Sequence, residues 1–495
     1  MANLRMKLLA GAAVAVALAA PPAFAQQDLE SRIRDLEQNL ELLKKQLEAQ
    51  VQQAQQTADE AAAKAMDEGG VKVKMKGPAP TFESEDGKYS LSVTGRIHWD
   101  GAWYDQEDNT QQLNGVNVNP TVVNDLNSGT NLRRARLGVN GVIDEVWDYE
   151  LVIDAGDSSA ADVQIDQIWL AYTDLEPVTL KLGRHKTPNG FDELTSSNDI
   201  PFIERSSTNN LATGPAGAKR VGLSGVASGD FWWAGAGVFG ANWNEEADDE
   251  QVSVNGRLAF APIRMKNEYA LHIGASGYHI FEPNQGAANT IRFRDRPNIR
   301  VDANRWVDAN TSFGDSGYMV GLEAAGQYQN FWINGEYNWF GYEEKFNPND
   351  SRRQRGEQDF YGYYVQAGWV MTGEPRPYSM SKAAWSGVKP DNPFSLANMG
   401  WGAWELAFRY DYVDLNDGEH SFAPDGTFLG TRGGEQETYT AGLNWYVNDY
   451  IRFMFNWIHA DIDRIGTNND CATGANCPSS GDVFDVYAMR AQVKW

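Results

Sequence analysis

Past residue 25 the chain has no long apolar run, and it is hydrophilic overall, with a mean hydropathy of -0.51. A helical membrane protein needs roughly 18 to 20 consecutive apolar residues per span, so that class is excluded. Cysteine is almost missing: Cys471 and Cys477 are the only two in 495 residues. Two thiols and six scattered histidines do not supply a zinc site, and no metal or cofactor is expected. In an oxidising compartment this pair, set in a Gly/Asn/Ser-rich stretch, reads as one loop-closing disulfide. Gly-x-Ser-x-Gly is absent, and His98, His185, His272, His279, His420 and His459 stand apart from any Ser/His/Asp set. These absences argue against an enzyme. Positive charge is also scarce, with 42 Lys and Arg against 67 Asp and Glu for a net of -25. No nucleic-acid partner is expected.

What is abundant is aromatic: Trp, Tyr and Phe number 17, 20 and 21, alongside 48 Gly. Such totals fit an outer-membrane barrel, whose polar lumen offsets its lipid face, although a large soluble β-protein could share them. The last nine residues separate the two. Tyr487, Met489, Ala491, Val493 and Trp495 are apolar, while Arg490, Gln492 and Lys494 between them are polar. Alternate side chains of a strand point to opposite faces, so this end has one greasy and one wet side. A terminus normally frays; a fully patterned strand there implies closure against another strand. At the other end Arg5 and Lys7 precede an apolar run from Leu8 to Ala20 and the small-x-small triplet Ala23-Phe24-Ala25. Residues 1–25 read as a secretory signal peptide, the run being too short for a membrane anchor.

Between these ends the periodicity changes once. Leu29, Ile33, Leu36, Leu40, Leu43 and Leu47 follow heptad spacing, and a stutter carries the seam through Val51, Ala54, Ala58, Ala61 and Ala65. A periplasmic coiled coil over 26–68 is expected in preference to one amphipathic helix lying on a barrel. Gly69-Gly70 ends it, and the Lys-, Gly- and Pro-containing 69–88 stretch reads as a linker. From residue 89 to 495 alternation recurs sixteen times, which predicts an all-β, sixteen-stranded antiparallel transmembrane barrel. Turns after even-numbered strands are tight, as at Asp144-Glu145-Val146 and Asn448-Asp449, and loops after odd-numbered ones are long. That asymmetry is the outer-membrane pattern; one long turn, 374–400, departs from it.

Lipid fixes where the arginines point. In 131–143, Arg134 and Arg136 share a face opposite Ala135, Leu137 and Val139. An arginine at the lipid midplane costs about 2 to 4 kcal/mol, so both are expected in the lumen. Arg133 is out of phase and must sit at a strand end or bulge. The same parity turns Arg257, Arg409, Arg452, Arg490 and Lys494 inward. Guanidinium groups in a narrow pore favour anions. They also brace a barrel when paired with wall carboxylates such as Glu150, Asp154, Glu405 and Asp411.

Several stretches resemble the phosphate-selective porin O/P family. They are Gly95-Arg96, Leu132-Arg133-Arg134-Ala135-Arg136-Leu137-Gly138 and Trp147-Asp148-Tyr149. Further on come Gly183-Arg184-His185-Lys186-Thr187-Pro188, Glu193-Leu194-Thr195-Ser196-Ser197-Asn198 and Phe202-Ile203-Glu204-Arg205. Thr372-Gly373-Glu374-Pro375-Arg376-Pro377-Tyr378, Val388-Lys389-Pro390 and Trp401-Gly402-Ala403-Trp404-Glu405-Leu406 complete the set. The resemblance implies a trimeric channel in which a loop near 187–216 folds inward to narrow the lumen. It also implies an arginine ladder that includes Arg96, Arg133, Arg134 and Arg136, and a lysine-bearing constriction for which Lys181 and Lys186 are the nearest candidates. The solute would be phosphate or another small anion, and the surroundings outer-membrane lipid and lipopolysaccharide. Acidic runs such as Glu245-Glu246 and Asp248-Asp249-Glu250 carry two readings, a solvated surface or a mouth that repels anions. A cation-preferring porin and a structural or adhesive barrel are the competing functions.

Overall fold

The computed structural model describes scattered residues between 38 and 56 and, from Gly70, the chain to Trp495. Excepted are residues 76, 107–111, 114–115, 118–125, 157–162, 241–250, 266–267, 284–290, 310–313, 345–355, 419–420, 422–428 and 465–480. Two compact units result, Met1–Lys72 and Val73–Trp495. In the first, every described residue from 38 to 56 is helical. The signal segment, most of the heptad stretch, Cys471 and Cys477 lie outside the described residues.

The second unit is a closed antiparallel barrel of sixteen strands. These are β1 (Ser90–Gln106), β2 (Gly129–Ile143), β3 (Trp147–Asp154), β4 (Gln164–Leu175), β5 (Val178–Lys186), β6 (Lys219–Ser228), β7 (Trp232–Phe239) and β8 (Val252–Met265). Then follow β9 (Tyr269–Glu282), β10 (Gly314–Tyr328), β11 (Phe331–Glu344), β12 (Glu357–Val370), β13 (Ala403–Asp417), β14 (Thr431–Tyr446), β15 (Ile451–Asp463) and β16 (Asp482–Lys494). Each strand pairs with the next, and β16 returns to β1 with Lys494 opposite Arg96. Gly95 and Trp495 exchange two backbone hydrogen bonds of 3.0 Å at the seam, so the patterned carboxy-terminal strand closes the cylinder and leaves no edge. The 69–88 stretch is more ordered than a linker. It holds the short strands Val71–Met75 and Pro80–Ser84, and the second pairs with the start of β1. Pro78 and Pro80 mask its alternation.

Outward positions make a lipid belt. On β11, Phe331, Ile333 and Trp339 are exposed while Trp332, Asn334 and Asn338 are buried. Near the short turns Phe331 stacks on Trp369 and Trp404 on Trp445, at ring separations of 5.7 and 5.4 Å. Nearer the long loops Tyr337, Tyr361, Tyr363, Tyr410, Tyr412 and Tyr439 form a second ring of contacts. The eight steps from Phe331 to Trp339 rise about 27 Å along a strand and about 21 Å along a barrel axis tilted by ~40°. That is close to the ~25 Å apolar band of outer-membrane barrels.

The interior is less polar than the simple alternation predicts. Three connections pack against the inner wall: 187–218 between β5 and β6, the described part of 283–313 between β9 and β10, and 371–402 between β12 and β13. Together they bring apolar side chains to three clusters on that wall. Phe293 joins Phe340, Tyr342 and Phe360; Ile203, Ile299 and Trp306 join Met454, Ile458 and Phe484; Phe191, Tyr378 and Trp385 join Trp233 and Trp332. Burying one such aromatic contributes about 2 to 3 kcal/mol, which explains apolar residues at inward positions such as Ile458. Two short helices, α1 (Phe191–Leu194) and α2 (Ser207–Thr213), lie in the first connection.

Candidate functional site

Wall residues from several sides of the barrel hold the 187–218 connection. At the start of α1 the amides of Phe191 and Asp192 donate to the two Glu336 oxygens of β11, at 2.8 and 3.0 Å. At the start of α2 the amides of Ser207 and Thr208 donate to Asp411 of β13, at 2.6 and 3.2 Å. Free amides and the partial positive charge of a helix start favour carboxylates there. Asp411 thus caps a helix as well as facing the Arg409 charge. Between the helices the loop carbonyls accept from β13–β16. Arg452 donates to Ile200 O at 2.9 Å, Asn444 to Pro201 O at 2.8 Å, Arg490 to Ile203 O at 2.5 Å and Arg409 to Glu204 O at 3.0 Å. The Arg409 guanidinium also lies 4.6 Å from the Phe202 ring.

Arg133 and Arg134 both reach inward because of a bulge. His98 of β1 pairs with Arg134 and Trp99 with Leu132, which leaves Arg133 as the extra residue. Their target is Glu204. Its carboxylate lies 2.7 Å from Arg133 Nε, 3.1 Å from Arg490 Nη2, and 3.9 Å from both Arg134 Nη1 and Arg300 Nε. Arg490 is shared with Asp100 at 2.6 Å. Burial opposes charge on Glu204, yet Arg133, Arg134, Arg490 and Arg300 outweigh it and hold the carboxyl well below the usual range.

A second cluster also keeps some contact with water, as Arg300 does in the first. Arg136 meets Asp154 at 2.6 Å and Asp166 at 2.8 Å, and Lys219 meets the other Asp166 oxygen at 2.5 Å. Lys186 and Arg205 each lie 3.5 Å from Glu193. Arg96 donates to Ser197 Oγ at 2.8 Å. Side-chain exposure is 14% at Arg136 and 25% at Lys186, against none at Arg257. Five cations against three carboxylates leave a formal excess of two positive charges on the partly exposed wall.

The candidate residues therefore separate. Arg96, Arg136 and Lys186 come together; Arg133 and Arg134 belong to the Glu204 knot; Arg409 and Arg452 hold loop carbonyls. Arg257 pairs with Glu323 at 2.7 Å and donates to Lys382 O and Ala383 O of the 371–402 turn. Lys181 stands 3.8 Å over the Trp169 ring, apart from both clusters. Lys219, Arg205, Asp166 and Glu193 had no individual signal in the alternation, although Arg205 and Glu193 fall within family-like motifs. Arg300 is marked only by the basic run from Arg292 to Arg300.

A family model described as phosphate-selective porin O and P matches residues 92–495. The chain belongs to that family. It is therefore an outer-membrane porin, a channel and not an enzyme. This porin is 26% identical over 406 residues to Porin O of Pseudomonas aeruginosa, covering 78% of the chain and 86% of that protein. It is 28% identical over 342 residues to an uncharacterized protein of Caulobacter vibrioides, covering 67% of the chain and 63% of that protein. Among solved structures it is similar to an anion-selective porin from Comamonas acidovorans, at 12% identity with a TM-score of 0.49 over 82% of this porin and 100% of that chain.

Proposed function

We propose that this porin passes small anions, phosphate or another oxyanion, down their gradient past the Arg96, Arg136, Lys186, Lys219 and Arg205 cluster. The 187–218 loop, which carries Arg205, narrows the lumen at that cluster. The observation that carries this reading is the excess of cations over carboxylates where side chains keep contact with water. Arginine forks suit the oxygens of phosphate and carboxylate, and local charge governs selectivity more than total charge does. The relative named Porin O and the family description point the same way. Arg133, Arg134, Arg257, Arg409 and Arg452 serve the path indirectly, by holding the inward segments in place.

In this reading residues 1–25 are removed on export, 26–68 form a periplasmic coil, 69–88 lead into the barrel and 89–495 assemble as a trimer among outer-membrane lipid and lipopolysaccharide. Reversal potentials of the purified porin in a planar bilayer under a KCl gradient test the proposal. Anion-selective values, with chloride current reduced by phosphate, are expected. A cation-selective potential would refute it and favour the cation-preferring alternative that the net charge suggests.

A further inference from the structure

Glu204 is the most heavily ligated carboxylate of the inward segments. It is 3% exposed and faces four guanidiniums from three parts of the chain: Arg133 and Arg134 of β2, Arg490 of β16 and Arg300 of the 283–313 connection. Asp100, 1% exposed, is bound through both of its oxygens to Arg490, and Asp295 lies 3.9 Å from Arg300. Buried guanidinium nitrogens remain without a hydrogen bond, Nε of Arg134 and Nε of Arg300. Three carboxylates thus answer four arginines, and the geometry is that of an anion site with a resident carboxylate already in it.

We infer that Glu204 is a tethered counter-anion, a built-in stand-in for the mobile solute that keeps Arg133, Arg134 and Arg300 from binding one. The loop main chain around it is independently anchored, since Arg409 holds Glu204 O and Arg490 holds Ile203 O. Neutralising the carboxylate therefore removes charge without releasing the loop. Mobile anions such as inorganic phosphate would then compete for these arginines, Arg134 above all. The inference rests on the lumen being the ion path. It concerns the direction of change and not the sign of the starting selectivity.

The test is Glu204→Gln against wild type in planar bilayers at ~0.1 M KCl. One charge about 7 Å from an ion through water is worth about RT and is halved by screening at that salt, which changes the anion-to-cation permeability ratio about threefold. The expected result is a threefold rise in that ratio and an approximately threefold lower phosphate concentration for half-block of chloride current. An unchanged ratio, or one moved toward cations, overturns the inference. So does a larger conductance for both ions at unchanged ratio, because it would show that Glu204 only fastens the loop. Should Glu204→Gln fail to give folded porin, Glu204→Gln with Arg133→Gln keeps the charge balance. Wild-type selectivity in that double variant supports the counter-anion, and a raised anion ratio overturns it.

Discussion

Replacing Arg136 by alanine probes the water-accessible cluster most directly. Arg136 bridges Asp154 and Asp166, so its loss lowers the formal excess from two positive charges to one. The backbone does not depend on it: Asp154 still accepts from the amides of Ala135 and Gly156, each at 3.0 Å, and Lys219 still holds Asp166. For an ion about 7 Å away in water, one unit charge is worth ~0.6 kcal/mol, falling to ~0.3 kcal/mol when the Debye length is about 10 Å. Anions lose and cations gain by a factor of ~1.6 each, so the permeability ratio moves toward cations about threefold. The assay is the reversal potential of refolded protein in ~0.1 M salt, repeated at ~1 M, where a Debye length of about 3 Å should erase most of the difference. Arg136→Lys keeps the charge and should keep the ratio, while weakening phosphate block through loss of the forked donor. An Arg136→Ala porin with native heat-modifiable mobility and an unchanged ratio at low salt would refute the placement of the ion path.

Arg376→Ala should destabilise the folded barrel by about 3 to 5 kcal/mol, because it leaves Glu405 buried and unpaired; the bridge is 2.8 Å long with both side chains inaccessible. The temperature of the heat-modifiable gel transition reads this, and no change would show that the 371–402 turn is not anchored there. Glu435→Gln with Glu437→Gln should leave selectivity unaltered in the same bilayer assay, since both face outward beside Tyr412 and Tyr439. Acid should spare the Glu204 knot. Its folded carboxyl lies well below the ordinary range, so its stabilisation is present above the unfolded value of about 4.3 and is lost only as pH falls through the depressed folded value. Between pH 7 and about 4.5 no Glu204-dependent change in selectivity is expected, and a transition abolished by Glu204→Gln within that window would contradict it.

Lipid made the barrel legible. An apolar face repeated every second residue has no other use beside hydrocarbon, so sixteen strands, the inward turn of Arg134, Arg409 and Arg452, and the oddity at Arg133 could all be read along the chain. The partners could not. Arg490 meets a carboxylate 390 residues away and Arg133 one that is 71 away, and no local period encodes such contacts. The same holds for Lys219 and Glu193. β14 begins at Thr431, five residues before its alternation does, because Thr431-Arg432-Gly433-Gly434 lies beyond the belt where nothing apolar is required outside. The long 374–400 turn was visible as an exception, but its inward fold depends on Trp385, Tyr378 and Arg376 finding pockets in distant strands.

Strand parity also accounts for how an acidic chain can accommodate the proposed cation-lined path. Outward positions close to the long loops carry Asp359, Asp414, Glu435, Glu437, Asp461 and Asp485, while the neighbours of five of them, Val413, Gln436, Ala460 and Val486, turn inward and are buried. These acids stand beyond the tyrosine ring, on the far side of the wall from Arg136 and Lys219. Water there screens them over about 8 to 10 Å at physiological salt, less than the diameter of a sixteen-stranded barrel. The net of -25 therefore says little about the charge an ion meets inside. On the proposed path an ion feels a handful of groups a few ångströms away, and in the Arg136 cluster their balance is positive.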